Sequence, residues 1–265
     1  EERSVRVQPI YVGVDVGASR TKVAVLDAAK NLIGYAVQKS GTDFTATADD
    51  CLQQSLAMAD AGREDIVNAI STGYGRNNVA YARDTRTEIG CHAGGCYHYF
   101  PTAITIIDIG GQDNKVIKLD EAGRRTSFKM NRKCAAGTGA FLEEMSTRLD
   151  IPLERMNDLA SRSTDMVKLG SFCTVFSATE VLENIRHGKK IEDIVKGLFF
   201  SVIRRVLEMD SMSENVVMTG GVVAHNLYMV RMMEELIAKP IRVPDKPQLT
   251  GAIGAAIYAM DNQPE

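Results

Sequence analysis

The feature that most constrains this chain is a pattern that occurs twice. GVDVGASRTKVAVLD begins at Gly13, and IIDIGGQDNKVIKLD begins at Ile106. In each copy an apolar run carries an Asp near its end, a glycine turn follows, and a Lys opens the next apolar run. Short β-rich runs joined through a glycine turn read as a hairpin. Two copies point to an internal duplication of an α/β lobe. The 265 residues leave room for two modest lobes, each with its own core.

The rest of the chain fits that frame. Before and within the first copy, strands are expected at Ile10–Val16, Thr21–Asp27 and Asn31–Gln38, followed by a helix over Asp49–Ala61 with Leu52, Leu56 and Ala59 on one face. A short strand, Ile66–Ser71, ends in Thr72-Gly73. The second copy supplies strands Ala103–Ile109 and Lys115–Leu119, then a helix over Gly139–Leu149. Ile191–Met209 has apolar residues at i, i+3, i+4 and i+7 throughout and reads as a core helix. A strand Asn215–Thr219 closes on Gly220-Gly221. A short edge strand at Pro240–Pro244 and a Gly- and Ala-rich helix at Gly251–Met260 complete the chain. The lobe boundary is expected near residues 90–102, with an N-terminal lobe of residues 1–95 and a C-terminal lobe of residues 96–265.

Composition removes several function classes. Apolar residues make up 45% and charged residues 25%, the balance of a globular protein. The net charge of −3 gives no basic footprint for nucleic acid. No apolar run reaches the roughly 18–20 residues that span a bilayer, and the first residues lack a secretory pattern. A cytoplasmic protein with no membrane or nucleic-acid partner is expected. Five cysteines, an odd number, argue against a disulfide framework.

The glycine turns are suited to phosphate. Gly17 lets backbone N–H groups approach an anion, Ser19 and Thr21 add hydroxyls, and Lys22 adds positive charge. Asp15 is the expected Mg²⁺ anchor, acting through water as a hard oxygen ligand. Gly110 and Gly111 repeat the arrangement, Asp108 matches Asp15, and Gln112 or Asp113 is placed to orient an attacking water. No Walker-type P-loop is present. Together with Thr219-Gly220-Gly221, the two loops resemble the actin, hexokinase and heat-shock-chaperone ATPase superfamily. The resemblance implies duplicated actin/hexokinase-like (ribonuclease H-like) α/β lobes with an ATP cleft between them. It also implies that MTGGVVAHN, with Thr219, Gly220, Gly221 and Asn226, contacts adenosine.

Two cysteine segments narrow this further. In NRKCAAGTGAFLEEM, Cys134 lies shortly before a helix, where the positive end of the helix dipole favours the thiolate that iron requires. In GSFCTVFSATEVLENIRHG, Cys173 precedes Ser177-x-x-Glu180, which reads as a capping box, so the expected helix is Ala178–His187. One chain thus offers two similar thiolates, and a [4Fe–4S] cluster takes four. A two-fold pair of chains would complete the set.

K-C-A-A-G-T-G at Lys133–Gly139 and C-T-V-F at Cys173–Phe176 resemble the activators of 2-hydroxyacyl-CoA dehydratases and the ATP-binding subunits of benzoyl-CoA reductase. TEIGCHAGG, residues 87–95, looks like a segment of the same family. The resemblance implies an actin-like fold and ATP/ADP with Mg²⁺. It implies a [4Fe–4S] cluster shared between two homologous or identical subunits through Cys134 and Cys173. Gly137, Thr138 and Gly139 would then lie beside both the cluster and the phosphates. A ferredoxin or flavodoxin donor and a CoA-thioester reductase or dehydratase acceptor are implied as partners. The loops GVDVGASRTK and CYHYFP look more like those of the reductase subunits. A single-chain cluster using Cys91 and Cys96 with Cys134 and Cys173 is the alternative for the ligand set. Competing functions are a small-molecule kinase with Asp108 or Asp113 as general base, and an ATP-dependent switch protein.

Overall fold

A computed structural model of the chain describes residues 9–170 and 173–262. Two compact units result. One holds the residues up to Pro101 together with those from Leu249 onward, and the other is Thr102–Gln248.

The first unit opens with a three-stranded meander, β1 (Ile10–Val16), β2 (Arg20–Asp27) and β3 (Leu32–Lys39). Helix α1 (Phe44–Ala59) follows and buries Cys51, Leu52 and Leu56. It starts five residues before the expected Asp49, because the Asp43 carboxylate accepts from the Ala46 N–H at 3.0 Å and caps it there. Strand β4 (Ile66–Thr72) then adds parallel to β1, and β5 (Asp84–Thr85) adds parallel to β4. The sheet order is β3-β2-β1-β4-β5. Helix α2 (Glu88–Tyr99) follows, capped by the Thr87 hydroxyl, which accepts from the Gly90 N–H.

The second unit repeats the plan. β6 (Ile104–Ile109), β7 (Asn114–Leu119) and β8 (Arg125–Asn131) form an antiparallel meander. Helices α3 (Gly139–Leu149), α4 (Met156–Ser161), α5 (Thr174–Arg186) and α6 (Ile191–Leu207) come next. β9 (Val216–Thr219) then joins parallel to β6. Helices α7 (Gly221–His225) and α8 (Leu227–Ile237) lead to edge strand β10 (Ile241–Arg242), parallel to β9. The order β8-β7-β6-β9-β10 is strand for strand that of the first sheet. The duplication visible in the sequence is therefore a duplication of topology. Helix α6 forms the spine of this core: Ile194, Val195, Leu198, Phe199, Val202, Ile203 and Val206 are wholly buried.

The last helix, α9 (Thr250–Asp261), belongs to the first unit. The expectation that residues 96–265 form one lobe departs from this partition at both ends. A boundary after residue 95 would cut α2, and α9 packs on β1, β4 and α2. The reason lies in small residues. A methyl group on Gly13 would fall 1.8 Å from the Ala252 carbonyl oxygen, and one on Gly254 1.8 Å from that of Cys91. Such backbone-to-backbone contact seats α9 tightly on β1 and α2. Among the described residues no helix is long and apolar enough to cross a membrane.

Candidate functional site: two Asp–Lys hairpins and two surface cysteines

In the first unit, antiparallel pairing sets Asp15 opposite Lys22. Lys22 Nζ donates to Asp15 Oδ2 at 2.9 Å, and the carboxylate is almost wholly buried. The Gly17 N–H donates to the Arg20 carbonyl at 3.1 Å and closes a two-residue loop, Ala18-Ser19. Glycine is needed here for clearance, since a Cβ on Gly17 would sit 2.8 Å from the Arg20 oxygen. The Gly17 N–H is thus used within the hairpin, and any phosphate would meet the loop tip instead. Thr21 is wholly buried, and its hydroxyl pairs with Ser40 Oγ at 3.0 Å, so it anchors the hairpin.

In the second unit the same register sets Asp108 opposite Lys115. Lys115 Nζ lies 3.0 Å from Asp108 Oδ2 and 2.7 Å from Asp113 Oδ1, with 1% of its side chain exposed. Asp113 is thereby committed to an ion pair, while Gln112 stands exposed at the loop tip. The Gly110 N–H donates to the Asp113 carbonyl at 2.9 Å and leaves Gly111-Gln112 as the two-residue loop.

This loop is latched to α3. The Gly139 N–H donates to the Gly110 carbonyl at 2.9 Å, and the Ala140 N–H to the Gly111 carbonyl at 2.7 Å. Two of the amides that a helix start leaves unsatisfied are thus capped by the loop. Asn114 Nδ2 adds a bond to the Gly137 carbonyl at 2.5 Å. Asn114 was missed in the sequence, yet it occupies the place of Thr21 in the repeated pattern. In both copies a buried polar residue just before the Lys ties the hairpin to a later segment. Thr138 is buried, and its Oγ1 donates to the Ala135 carbonyl at 2.6 Å.

The third motif meets the second hairpin. β9 pairs Thr219 with Asp108. Gly220 has φ 103° and lies so close to β6 that a Cβ would be 2.4 Å from the Ile109 oxygen and 2.9 Å from Asp108 Oδ1. The Thr219 hydroxyl donates to the Pro247 carbonyl within the fold. Gly221 has open space around it. Asn226 is buried at the end of α7. Its Nδ2 donates to the Val222 carbonyl at 2.9 Å, and its Oδ1 has no partner among the described residues.

The cysteines divide into two kinds. Cys51, Cys91 and Cys96 are wholly buried. Burial, helped by Asp50, pushes the Cys51 thiol up to about 11, and burial pushes that of Cys91 up to about 12. Cys91 packs in the core with Tyr11, Ile70 and Ala255, a setting that opposes metal ligation. Cys134 is half-buried and Cys173 exposed. Cys134 lies four residues before the α3 N-cap, Thr138, outside the first turn where the dipole acts. Cys173 is itself the N-cap of α5, and the Ser177 N–H donates to its carbonyl at 2.8 Å. The expected capping box at Ser177 is therefore absent, and Glu180 instead accepts from the Gly170 N–H at 2.7 Å. Beside Cys173, α5 exposes Val175, Phe176, Leu182 and Ile185. Along the segment that leads into Cys134 lies a groove of about 510 Å³ whose lining includes Met130, Arg132, Lys133, and Arg205 paired with Glu208. Among the described residues no group of three or more His, Cys, Asp or Glu is gathered for a metal. Two accessible thiols per chain fit a cluster completed by a second subunit, and three sealed ones do not.

The sequence profile of the BadF/BadG/BcrA/BcrD ATPase family matches residues 12–259. The chain is 41% identical to the 2-hydroxyisocaproyl-CoA dehydratase activator of Clostridioides difficile, over 96% of each chain. It is 37% identical to the (R)-2-hydroxyglutaryl-CoA dehydratase activating ATPase of Acidaminococcus fermentans, over 94% of this chain and 96% of that one. A benzoyl-CoA reductase subunit of Thauera aromatica is 25% identical over 94% of this chain and 92% of its own. The solved structure of the C. difficile activator with bound ADPNP superposes with a TM-score of 0.89, over 95% of this chain and 94% of that one. At the level of fold alone, a ROK family glucokinase from Streptomyces griseus superposes with a TM-score of 0.53 at 14% identity, over 96% of this chain and 100% of that one. The fold is thus the duplicated, actin/hexokinase-like α/β type.

Proposed function

The chain belongs to the BadF/BadG/BcrA/BcrD ATPase family, and from that premise we propose that it couples ATP hydrolysis to the delivery of single electrons to a CoA-thioester dehydratase. The observation that supports this best is the pairing of two Asp–Lys hairpins with two accessible cysteines on one chain, one of which begins the segment latched to the second hairpin. Identity is higher to the dehydratase activators than to the reductase component, which favours a dehydratase as acceptor over the reductase suggested by the two loops.

Phosphate handling falls to the loops Ala18-Ser19 and Gly111-Gln112. Asp15 and Asp108 are buried carboxylates at strand ends, a donor type that suits Mg²⁺ held through water. Gln112, exposed at its loop tip, orients the attacking water. Gly220, Gly221 and Asn226 provide the adenosine contacts. Cys134 and Cys173 hold half of a [4Fe–4S] cluster, and a second subunit supplies the other half. When bound, that cluster supplies a one-electron store. The exposed apolar residues of α5 beside Cys173 suit a subunit contact. The basic lining of the groove near Cys134 suits an acidic electron carrier such as a ferredoxin or flavodoxin.

The test is anaerobic purification followed by metal analysis and electron-spin spectroscopy with ADP or a non-hydrolysable ATP analogue. The expected result is brown protein with about four irons per pair of chains and a spectrum that differs between the two nucleotides. Colourless protein that hydrolyses ATP would point to the kinase or switch reading instead.

A further inference from the structure

The segment Thr87–Gly95 has no role in the scheme above, yet it lies against Asp15. His92, on α2, is 5% exposed. Its Nδ1 is 3.0 Å from Thr250 Oγ1 in the first turn of α9, and its Nε2 is 3.9 Å from Glu88 Oε1. The next residue of α9 is Gly251. A Cβ built there would lie 3.2 Å from Asp15 Oδ2 and 3.2 Å from His92 Nε2. The imidazole and the carboxylate therefore border the same small space, which the glycine leaves open.

The tautomer follows from the surroundings. Nε2 lies 3.9 Å from the Glu88 carboxylate and borders the space beside Asp15 Oδ2, so the ring proton is favoured on that nitrogen. Nδ1 is then the acceptor, and the wholly buried Thr250 hydroxyl donates to it. The terminal torsion of an Asp is broad, so the donors around it set the carboxylate plane. Asp15 has Lys22 on Oδ2, but 19% of the Lys22 side chain is exposed. A lysine so placed can turn toward a phosphate.

We propose that His92 is a positioning residue for ATP hydrolysis: oriented by Thr250, it directs its Nε2–H toward Asp15 Oδ2 and keeps that carboxylate in place when Lys22 turns to the nucleotide. The proposal rests on Asp15 belonging to the ATPase site.

The test uses the full chain with three variants of His92 and one of Asp15. Gln at position 92 keeps an N–H at the reach of Nε2, whereas Asn keeps a polar group only near Thr250. Expected for His92→Asn and His92→Leu is a fall in kcat of about 10–100-fold, the usual size for a group that orients a ligating residue. KM for ATP and the calorimetric affinity for ADP should stay as in the parent, and His92→Gln should recover most of kcat. In the background of Asp15→Asn, His92→Asn should cost nothing more, because the two act as one unit. Should His92→Leu fail to fold, the Asn and Gln pair still decides. Equal loss in both, or parental kcat in a folded His92→Asn protein, overturns the proposal. Unchanged hydrolysis in Asp15→Asn alone would instead overturn the assignment of Asp15 on which it rests.

Discussion

Lys22 and Asp15 face each other across the β1–β2 ladder with 2.9 Å between Nζ and Oδ2, and Lys115 and Asp108 repeat the relationship at 3.0 Å in β6–β7. The two pairs differ in burial. Lys115 is sealed and bridges two carboxylates, so Lys115→Met strands buried negative charge and should lower stability by about 3–5 kcal/mol. Lys22→Met should lower stability less and ATP turnover more. Urea denaturation beside a phosphate-release assay checks both, and equal stability losses would contradict the assignment.

The cysteines separate by exposure. Cys134→Ser or Cys173→Ser should abolish iron binding and weaken the subunit pair, while Cys51→Ser, in the core of the first unit, should do neither. Iron content and sedimentation of anaerobically purified variants measure this. Full iron in Cys134→Ser would remove it as a ligand.

Neighbouring glycines should behave differently. Gly220→Ala forces a Cβ into the Ile109 carbonyl at a φ of 103°, and should destabilise by roughly 1–3 kcal/mol while impairing nucleotide binding. Gly221→Ala meets nothing within 4 Å and should fold normally. Thermal melts with and without ADP compare the two, and parental stability in Gly220→Ala would show that this turn relaxes freely.

Acid should reveal Asp193, in the first turn of α6. The Ser163 hydroxyl at 2.7 Å, with the Asp165 N–H, outweighs desolvation and holds its carboxyl below the ordinary 3.8. A depressed folded-state value means the stabilisation is complete above 3.8 and is lost as pH falls through the lower folded value. Asp193→Asn should therefore lower the melting temperature at neutral pH and flatten its decline in that acid window. An unchanged acid slope would show that the group does not contribute.

Much of this was legible in the sequence. The meander strands and the Asp-to-Lys spacing appear as apolar runs broken by glycine, and α3 begins and ends where its apolar stripe does. Helix α2 was not legible. Gly90, Gly94 and Gly95 lower its helix propensity, and the clearance that Gly95 gives, where a Cβ would fall 2.0 Å from the Thr250 carbonyl, is explained only by α9, which lies far away in the sequence. The roles of Thr21, Thr138 and Thr219 were hidden for a related reason. A hydroxyl suits a phosphate or a carbonyl equally, and for Thr21 and Thr219 the deciding partners, Ser40 and Pro247, are remote in sequence. At Cys173, Ser177 and Glu180 imitate a helix start that the backbone had made four residues earlier.

The bonds from Gly139 and Ala140 to the Gly110 and Gly111 carbonyls join the second hairpin loop to the segment that begins at Cys134. On the proposed function, these short backbone bonds would make nucleotide state and cysteine environment linked variables of one piece of structure. Such linkage is reciprocal. If ATP in place of ADP shifts the redox equilibrium at Cys134 by some factor, adding the electron must shift the preference for ATP over ADP by that same factor. On the proposed function, the chain would then sense through its nucleotide affinity whether its electron has been delivered.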